Sequence, residues 1–244
     1  MDKFVYIAMT GARQNAAALQ AHSNNLANIS TTGFQRDFAQ ARSMPVFGET
    51  LPARVYAMTE RPGTDFSPGV LQETGRDLDV AVNGEGWIAV QTPEGGEAYV
   101  RTGRLNIDAL GMLRTADGFP VLGNGGPIAV PPEEKVEVGL DGTVSIRILG
   151  EDPNLLVTVD RLKLVKPELS QLKKGTDGLI RAEGAPPPVD AQVQIVSGFL
   201  EASNVSAVDE MTSILALSRQ FELNVKMMRT AEEDSRAMAR ILQS

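Results

Sequence analysis

The chain has 244 residues, a formal net charge of −8 and a hydrophobic content of 42%, which is ordinary for a folded globular protein. The acidic balance disfavours binding to nucleic acid or to an anionic membrane surface, because both are negatively charged. The absence of cysteine excludes disulfides, thiolate nucleophiles and cysteine-ligated metals. No basic stretch followed by an apolar core opens the sequence, so we expect no cleaved secretory signal.

The first predicted element is a helix from about Phe4 to Ile29. This segment has no proline and one glycine, and its apolar residues recur at steps of three and four or their multiples. Between Arg13 and Arg36 there is no formal charge, and His22 is the sole ionisable side chain, which we interpret as a buried or interfacial polar contact. Such a composition favours a helix that is surrounded by other chains; a solvent-exposed, amide-rich helix is the alternative.

The middle of the chain has the short, regularly spaced strands of an antiparallel β domain, barrel-like or sandwich-like. The predicted strands are 54–57, 78–82, 87–90, 104–107 and 155–159, and Asn-Gly or Asp-Gly turns lie at 83–84, 117–118, 141–142 and 177–178. Trp87 is predicted to pack in the core of this domain. The proline run at 186–188 is typical of a stiff, extended connection.

A second long helix is predicted from about residue 205 to the C-terminus. A helix of this length extends roughly 1.5 Å per residue, on the order of 50 Å in all. We expect its apolar stripe to pack on the N-terminal helix and on neighbouring chains. The stripe has the spacing of a coiled-coil seam and consists of Ile214, Leu217, Phe221, Val225, Met228, Ala231, Met238 and Leu242.

These elements together predict an α+β protein with three parts. Residues 1–30 and 205–244 form a terminal helical assembly domain with a coiled-coil-like packing. Residues 31–77 and 186–204 form an extended or β connecting region. Residues 78–185 form the central, mainly antiparallel β domain.

The sequence offers little for an enzyme. The Gly-rich stretches 84–86 and 123–126 do not continue into a phosphate-binding loop or a dinucleotide fingerprint. Asp77 and Asp79 flank Leu78 and are a candidate carboxylate pair, so a carbohydrate-active enzyme is the alternative from another class. The aromatic content of 5% disfavours that alternative. We expect no enzymatic activity, no cofactor, no metal and no small-molecule substrate.

Three motifs, in order along the chain, resemble signatures of bacterial flagellar rod and hook proteins. They lie at 24–28 with 31 and 33–34, at 78–87 with 99–103 and 118–123, and at 198–205 with 210–211 and 221–224. The chain is identified as a member of this family over nearly its whole length. The opening residues 6–13 and Gly86-Trp87 are similar to the proximal-rod member, and the distal-rod member is the alternative. Gln35 departs from the pattern, because a basic residue is common at its position.

The resemblance implies a structural subunit of the flagellar basal-body rod that transmits torque by packing of its terminal helices in a tube. It also implies a periplasm-spanning location and export through the flagellar type III apparatus without a cleaved signal. The implied partners are that apparatus, copies of the chain, and the distal and inner proximal rod subunits. The predicted assembly interface comprises Asn24, Asn25, Leu26, Ala27, Asn28, Gly33, Phe34, Ile214, Leu217, Phe221, Asn224, Val225, Met228 and Met238.

Overall fold

The computed structural model of the chain describes residues 3–38, 40–45, 55–60, 63–148 and 156–241. A long helix lies at each end and antiparallel strands lie between them, so the α+β class is confirmed. Residues 54, 155 and 242, which belong to predicted elements, lie outside the described residues. The elements are α1 (Lys3–Ala27), β1 (Gln40–Pro45), β2 (Val55–Glu60), β3 (Leu71–Glu73), β4 (Asp79–Asn83), β5 (Trp87–Gln91), β6 (Glu97–Val100), β7 (Thr102–Ile107), β8 (Leu113–Thr115), β9 (Glu133–Val138), β10 (Thr143–Ile148), β11 (Val157–Arg161), β12 (Leu164–Val165), a 3₁₀ turn (Leu169–Gln171), β13 (Leu172–Lys174), β14 (Ile180–Ala182), β15 (Gln194–Ser197), β16 (Phe199–Glu201) and α2 (Ala207–Ile241).

The strands form open antiparallel sheets, and no set of described strands closes into a barrel. The largest sheet has the order β12-β5-β6-β14-β13, and a four-stranded sheet has the order β15-β4-β7-β8. A three-stranded sheet (β11-β10-β9) and the two pairs β16-β3 and β1-β2 complete the set. The predicted Asn-Gly and Asp-Gly turns are confirmed, since their four glycines all have φ between 79° and 88°.

The chain divides into two compact units. The helical unit comprises Met1–Ile29, Arg36–Asp65 and Val205–Ser244, and therefore includes α1, α2 and the β1-β2 hairpin. The β unit comprises Ser30–Gln35 and Phe66–Asn204. The division of the chain into the three predicted ranges stays a prediction.

The core of the β unit is built from large aliphatic side chains on alternating strand positions. Ile88, Leu105, Leu113 and Ile146 are all at most 1% exposed. Trp87 lies in a second cluster at 3% exposure, with the ring of Phe66 edge-on to it at a centroid distance of 5.7 Å. The predicted core position of Trp87 is confirmed.

The two helices differ in length. α1 has 25 residues and α2 has 35, which corresponds to about 50 Å for α2. In the parts of the chain that the structure describes, neither helix is long and apolar enough to cross a membrane.

Candidate assembly interface

The face of α1 that packs on α2 is made of small residues. Ala8 and Ala12 are 4% and 6% exposed. Gly11 lies between them, and a Cβ added there would come within 3.2 Å of the Asn224 Nδ2 atom. Because Gly11 has no side chain, there is room for the Asn224 side chain against α1 at this position.

The face of α2 that packs on α1 is the predicted seam over much of its length. Ile214, Leu217, Val225 and Met228 are partly buried, and Ala231 is buried. Asn25 near the end of α1 contacts Glu210 near the start of α2, while Gly11 near the start of α1 faces Asn224. The two helices are therefore antiparallel.

A buried carboxylate holds one end of the helix pair. Glu210 is 2% exposed, and its Oε1 accepts a hydrogen bond of 3.2 Å from Asn25 Nδ2. Its Oε2 lies 2.5 Å from His22 Nδ1, within hydrogen-bond distance. Asn25 itself is 0% exposed; it also donates to the Asp37 carbonyl at 2.9 Å and accepts from the Asp37 N–H at 3.0 Å. Both groups of the Asn25 amide are thus satisfied.

Glu210 was not among the predicted interface residues, although it lies in the C-terminal motif. Its spacing in the sequence could have revealed it. Glu210 lies four residues before Ile214, which lies three residues before Leu217, so an ionisable residue continues the apolar seam. His22 is an intrachain polar contact, 21% exposed, with a carboxylate that follows it by 188 positions. A contact between residues so far apart in the chain cannot be predicted from local sequence patterns.

The outer face of α2 carries large apolar side chains that are more than half exposed. Val208, Met211 and Leu215 fall at i, i+3 and i+7 and are 70%, 53% and 59% exposed. Farther along the helix, Leu223, Met238 and Ile241 are 60–73% exposed. On α1, Tyr6 and Met9 are likewise half exposed. These residues together are called the outer apolar faces below.

The predicted interface residues divide into three groups. Asn25 and Asn224 are buried inside the helix pair, and Leu26, Asn28, Ile214, Leu217, Val225 and Met228 are partly buried in the helical unit. Asn24, Ala27, Phe221 and Met238 are exposed. Gly33 and Phe34 are partly buried and belong to the β unit. Whether neighbouring chains contact these residues stays a prediction.

The β unit has a buried ion pair of its own. Glu201 is 0% exposed, and Arg101 Nη2 lies 2.8 Å from its Oε2. The Oε1 atom accepts from the Gly69 N–H at 3.0 Å and from Gln35 Nε2 at 3.3 Å. The guanidinium also donates to the Gly86 carbonyl and stands 5.5 Å from the Trp87 ring centroid. Sequence analysis missed this pair, although both members lie in the motifs.

The short segment Ser30–Gln35 is held in the β unit by these same contacts. The Gly33 N–H donates to the Glu201 carbonyl at 2.8 Å, and Gly33 has φ +69°. A Cβ at Gly33 would lie 2.8 Å from Thr102 Cγ2, so both the backbone conformation and the space require glycine. Gln35, at 2% exposure, is a buried neutral donor to the Glu201 carboxylate.

The candidate catalytic carboxylates lie in different environments. The Asp77 side chain is 56% exposed and pairs with Lys135 at 3.3 Å. The Asp79 side chain is 3% exposed and pairs with Arg76 at 3.3 Å. Lys135 also pairs with Glu137 at 3.0 Å, and Arg104 lies 3.9 Å from Asp79, so the two carboxylates belong to separate ion-pair clusters.

Three family models match successive stretches of the chain. "Flagella basal body rod protein" matches residues 5–35, "Flagellar hook protein FlgE/F/G D1 domain" matches 81–146, and "Flagellar basal body rod FlgEFG protein C-terminal" matches 196–241. The first and last of these stretches include the motif residues Asn25 and Glu210, which meet across the helix pair.

Full-length relatives agree with these matches. The flagellar basal-body rod protein FlgF of Salmonella typhimurium is 39% identical over 96% of both chains, and that of Escherichia coli is 38% identical over the same shares. The flagellar basal-body rod protein FlgG of Buchnera aphidicola is 30% identical over 94% of this chain and 95% of its own.

The chain belongs to the bacterial flagellar rod and hook protein family, as a structural subunit of the flagellar basal-body rod. The family resemblance of its sequence motifs is thereby confirmed. FlgF-named relatives at 36–39% identity support the FlgF type within the family.

Proposed function

We propose that this chain is a proximal-rod subunit whose terminal helices carry the assembly contacts and transmit torque by packing. The observation that supports this is the pair of outer apolar faces on α1 and α2. Val208, Met211 and Leu215 lie on one helix face at 53–70% exposure, which is costly in water and is relieved when neighbouring chains cover it.

The proposed neighbours are other rod subunits and copies of this chain. A head-to-tail contact between different surfaces builds an open helical tube, whereas a contact of one surface with itself stops at a dimer. Rigid, buried contacts transmit torque because close-packed interiors are hardly compressible.

The decisive experiment places one charge on the outer apolar face. Leu215→Asp puts a carboxylate on the surface that the proposal assigns to neighbouring chains, where it would be buried without a partner. The expected result is loss of the chain from isolated basal bodies and loss of motility, with the helix content and the Trp87 fluorescence of the purified chain unchanged. The assay is immunoblotting of basal bodies from a strain that expresses the variant alone.

The matched control is Leu110→Asp in the turn between β7 and β8 of the β unit. Leu110 is 84% exposed, so the substitution is chemically identical and the site is even more open to water. We expect normal incorporation of this variant. Normal incorporation of Leu215→Asp, or equal loss of both variants, would overturn the assignment of assembly to the helices.

The second candidate is a distal-rod subunit, which is favoured by the FlgG-named relatives at about 30% identity. Both candidates are structural subunits of the same family, and they differ in their position along the rod. Because the chain has no native cysteine, one engineered cysteine on an exposed residue gives a clean site-specific crosslink. Crosslinks to inner proximal-rod subunits support our proposal, and crosslinks to the hook-side subunits alone contradict it.

We also propose that the chain has no enzymatic role and reaches a periplasm-spanning rod through the flagellar type III apparatus. The separate ion pairs of Asp77 and Asp79 support the first point. Motility that survives Asp77→Asn is the expected result, and loss of a glycosidase activity in that variant would reverse it. For the second point, the chain is expected to accumulate in the cytoplasm of a strain that lacks the export apparatus.

A further inference from the structure

The seam between α1 and α2 consists of small and aliphatic side chains for most of its length, and such a surface fixes the register of two helices weakly. Among the described side chains, the buried apolar residues are Ala8 and Ala12 on α1 and Ala231 on α2. A slip of seven residues brings similar small or aliphatic side chains together again, because the seam repeats with nearly that period.

Polar side chains interrupt this seam at two levels. At one level Glu210 is hydrogen-bonded to Asn25 and His22, and at the other the Asn224 amide, 8% exposed, sits against Gly11. Asn25 and Gly11 are fourteen residues apart on α1, and Glu210 and Asn224 are fourteen residues apart on α2. The two levels are therefore about 21 Å apart on both helices, at 1.5 Å per residue.

We propose that these two contacts are register pins: Glu210 with Asn25, and Asn224 with Gly11, select one axial alignment of α1 and α2. In coiled coils, a single buried polar residue on the seam is known to fix the alignment at some cost in stability. Here two such pins at matched spacing reinforce each other.

A seven-residue slip removes both pins in either direction. In one direction Glu210 comes to face Ala18 and Asn224 comes to face Phe4. In the other direction Glu210 faces Thr32, beyond the end of α1 at Ala27, and Asn224 faces Ala18. Either slip takes the Glu210 carboxylate away from Asn25 and His22. A buried carboxylate without hydrogen bonds is strongly disfavoured.

The register decides how much of α2 projects beyond α1. Because Asn224 faces Gly11, the residue that faces Lys3 at the start of α1 is Glu232. All residues from Glu232 to Ile241 are exposed, in keeping with this alignment. At the other end the helices are nearly flush, since α1 ends at Ala27 and α2 begins at Ala207. The pins therefore set a projecting helical end of about ten residues, or roughly 15 Å. A role of this projecting end in assembly rests on the proposed function, whereas its length follows from the register alone.

The register is measured directly by the distance between two spin labels on the full-length chain. Ser23→Cys and Ala237→Cys place labels on exposed positions of α1 and α2, and the chain has no other cysteine. In the observed register the labelled residues are separated axially by about 25 residues, or about 37 Å. A seven-residue slip changes this to about 27 or 48 Å, which pulsed electron paramagnetic resonance resolves easily.

The test variant is Glu210→Leu combined with Asn224→Leu, which removes both pins and keeps the seam apolar. We expect the parent chain to give one narrow distance and the variant to gain populations displaced by about 10 Å, with unchanged helix content. The matched control is Glu222→Leu combined with Thr230→Leu, which adds the same side chains at exposed positions of α2. This control is expected to keep the parent distance.

A second variant covers the case in which the double substitution unfolds the helices. Gly11→Leu fills the space that seats Asn224, so it acts against the observed register from α1 and is expected to displace the distance as well. A broad distribution in the parent chain, or the parent distance in every variant that retains its helices, would overturn the proposal. Loss of assembly in Leu215→Asp with a narrow parent distance supports both proposals, and each measurement can fail without the other.

Discussion

The helical unit and the β unit are stabilised by opposite means. In the β unit, side chains as large as Tyr99, Ile88 and Leu105 are at most 1% exposed. On α2, the buried residues are Glu210, Asn224 and Ala231, two of which are polar. The β unit thus has a core of large apolar side chains, although Leu110 and Leu140 on its surface are exposed. The helix pair buries small and polar side chains on α2 and leaves several large apolar side chains exposed.

This difference indicates that the two units have different roles. A unit that buries its own apolar surface is stable without neighbours. Under the proposed function, neighbouring chains cover the large apolar side chains that the helix pair leaves exposed. Substitutions inside each unit test this difference.

The largest effect is expected at the buried ion pair of the β unit. Glu201→Ala leaves the Arg101 guanidinium, which is 3% exposed, without its carboxylate. The expected loss in the free energy of unfolding is roughly 3–5 kcal/mol, because an uncompensated charge stays buried. Urea unfolding followed by Trp87 fluorescence measures it, since the Trp87 ring lies beside Arg101.

The matched control is Glu183→Ala in the same unit. Glu183 pairs with Lys173, but both side chains are more than half exposed. A loss of about 0–1 kcal/mol is expected there. Similar losses in the two variants would mean that burial does not set the strength of these pairs.

An intermediate effect is expected in the helical unit. Asn25→Ala removes the amide that bonds Glu210 Oε1 and both backbone groups of Asp37. Leaving buried polar groups unsatisfied costs about 1–3 kcal/mol. Urea unfolding followed by the helix signal of circular dichroism is the measurement.

Asn24→Ala is the control for this prediction, because Asn24 is the exposed neighbour of Asn25 and accepts hydrogen bonds from Asn28, one turn later on the same helix. We expect a change of roughly a few tenths of a kcal/mol, since alanine is the better helix former. A larger loss in Asn24→Ala than in Asn25→Ala would refute the role of the buried amide.

Local patterns predicted both helices and the turns, but only part of the strands: the strand predicted at 155–159 begins at Val157, and β9 and β10 match none of the predicted strands. The three- and four-residue spacing of apolar residues gave both helices, and the Asn-Gly and Asp-Gly pairs gave the turns, because these features depend on residues close in sequence. The order of strands in the sheets was not predictable, since β4 pairs with β15 more than a hundred positions later. The same holds for Glu201 with Arg101 and for Glu210 with His22, which are 100 and 188 positions apart.

The predicted interface shows where the family motifs were informative and where they were not. They pointed to Asn25 and Asn224, but they did not distinguish a residue that packs inside the helix pair from one that faces a neighbour. That distinction depends on the rotation of α2 about its axis, which the contact of Asn224 with Gly11 reveals.

The smallest effect is expected at a partly buried ion pair in the turn between β7 and β8. Asp108 Oδ2 accepts from Arg114 Nε at 2.6 Å, and its Oδ1 accepts from the Met112 N–H at 2.9 Å. The Arg114 hydrogen bond first, and then the Met112 N–H, lower the pKa of Asp108 below its ordinary value. A carboxylate whose pKa is lower in the folded state contributes stability above its unfolded pKa, about 3.9, and loses that contribution as the pH falls through the folded pKa.

Asp108→Asn should therefore lower stability slightly at neutral pH, and its difference from the parent chain should shrink as the pH falls below about 4. Arg114→Gln should weaken the same pH dependence, because it removes the main cause of the lowered pKa. Urea unfolding at several pH values measures both effects. A difference that stays constant down to acid pH would show that Asp108 acts through its backbone hydrogen bonds to the turn, as a neutral asparagine also would, and not through its charge.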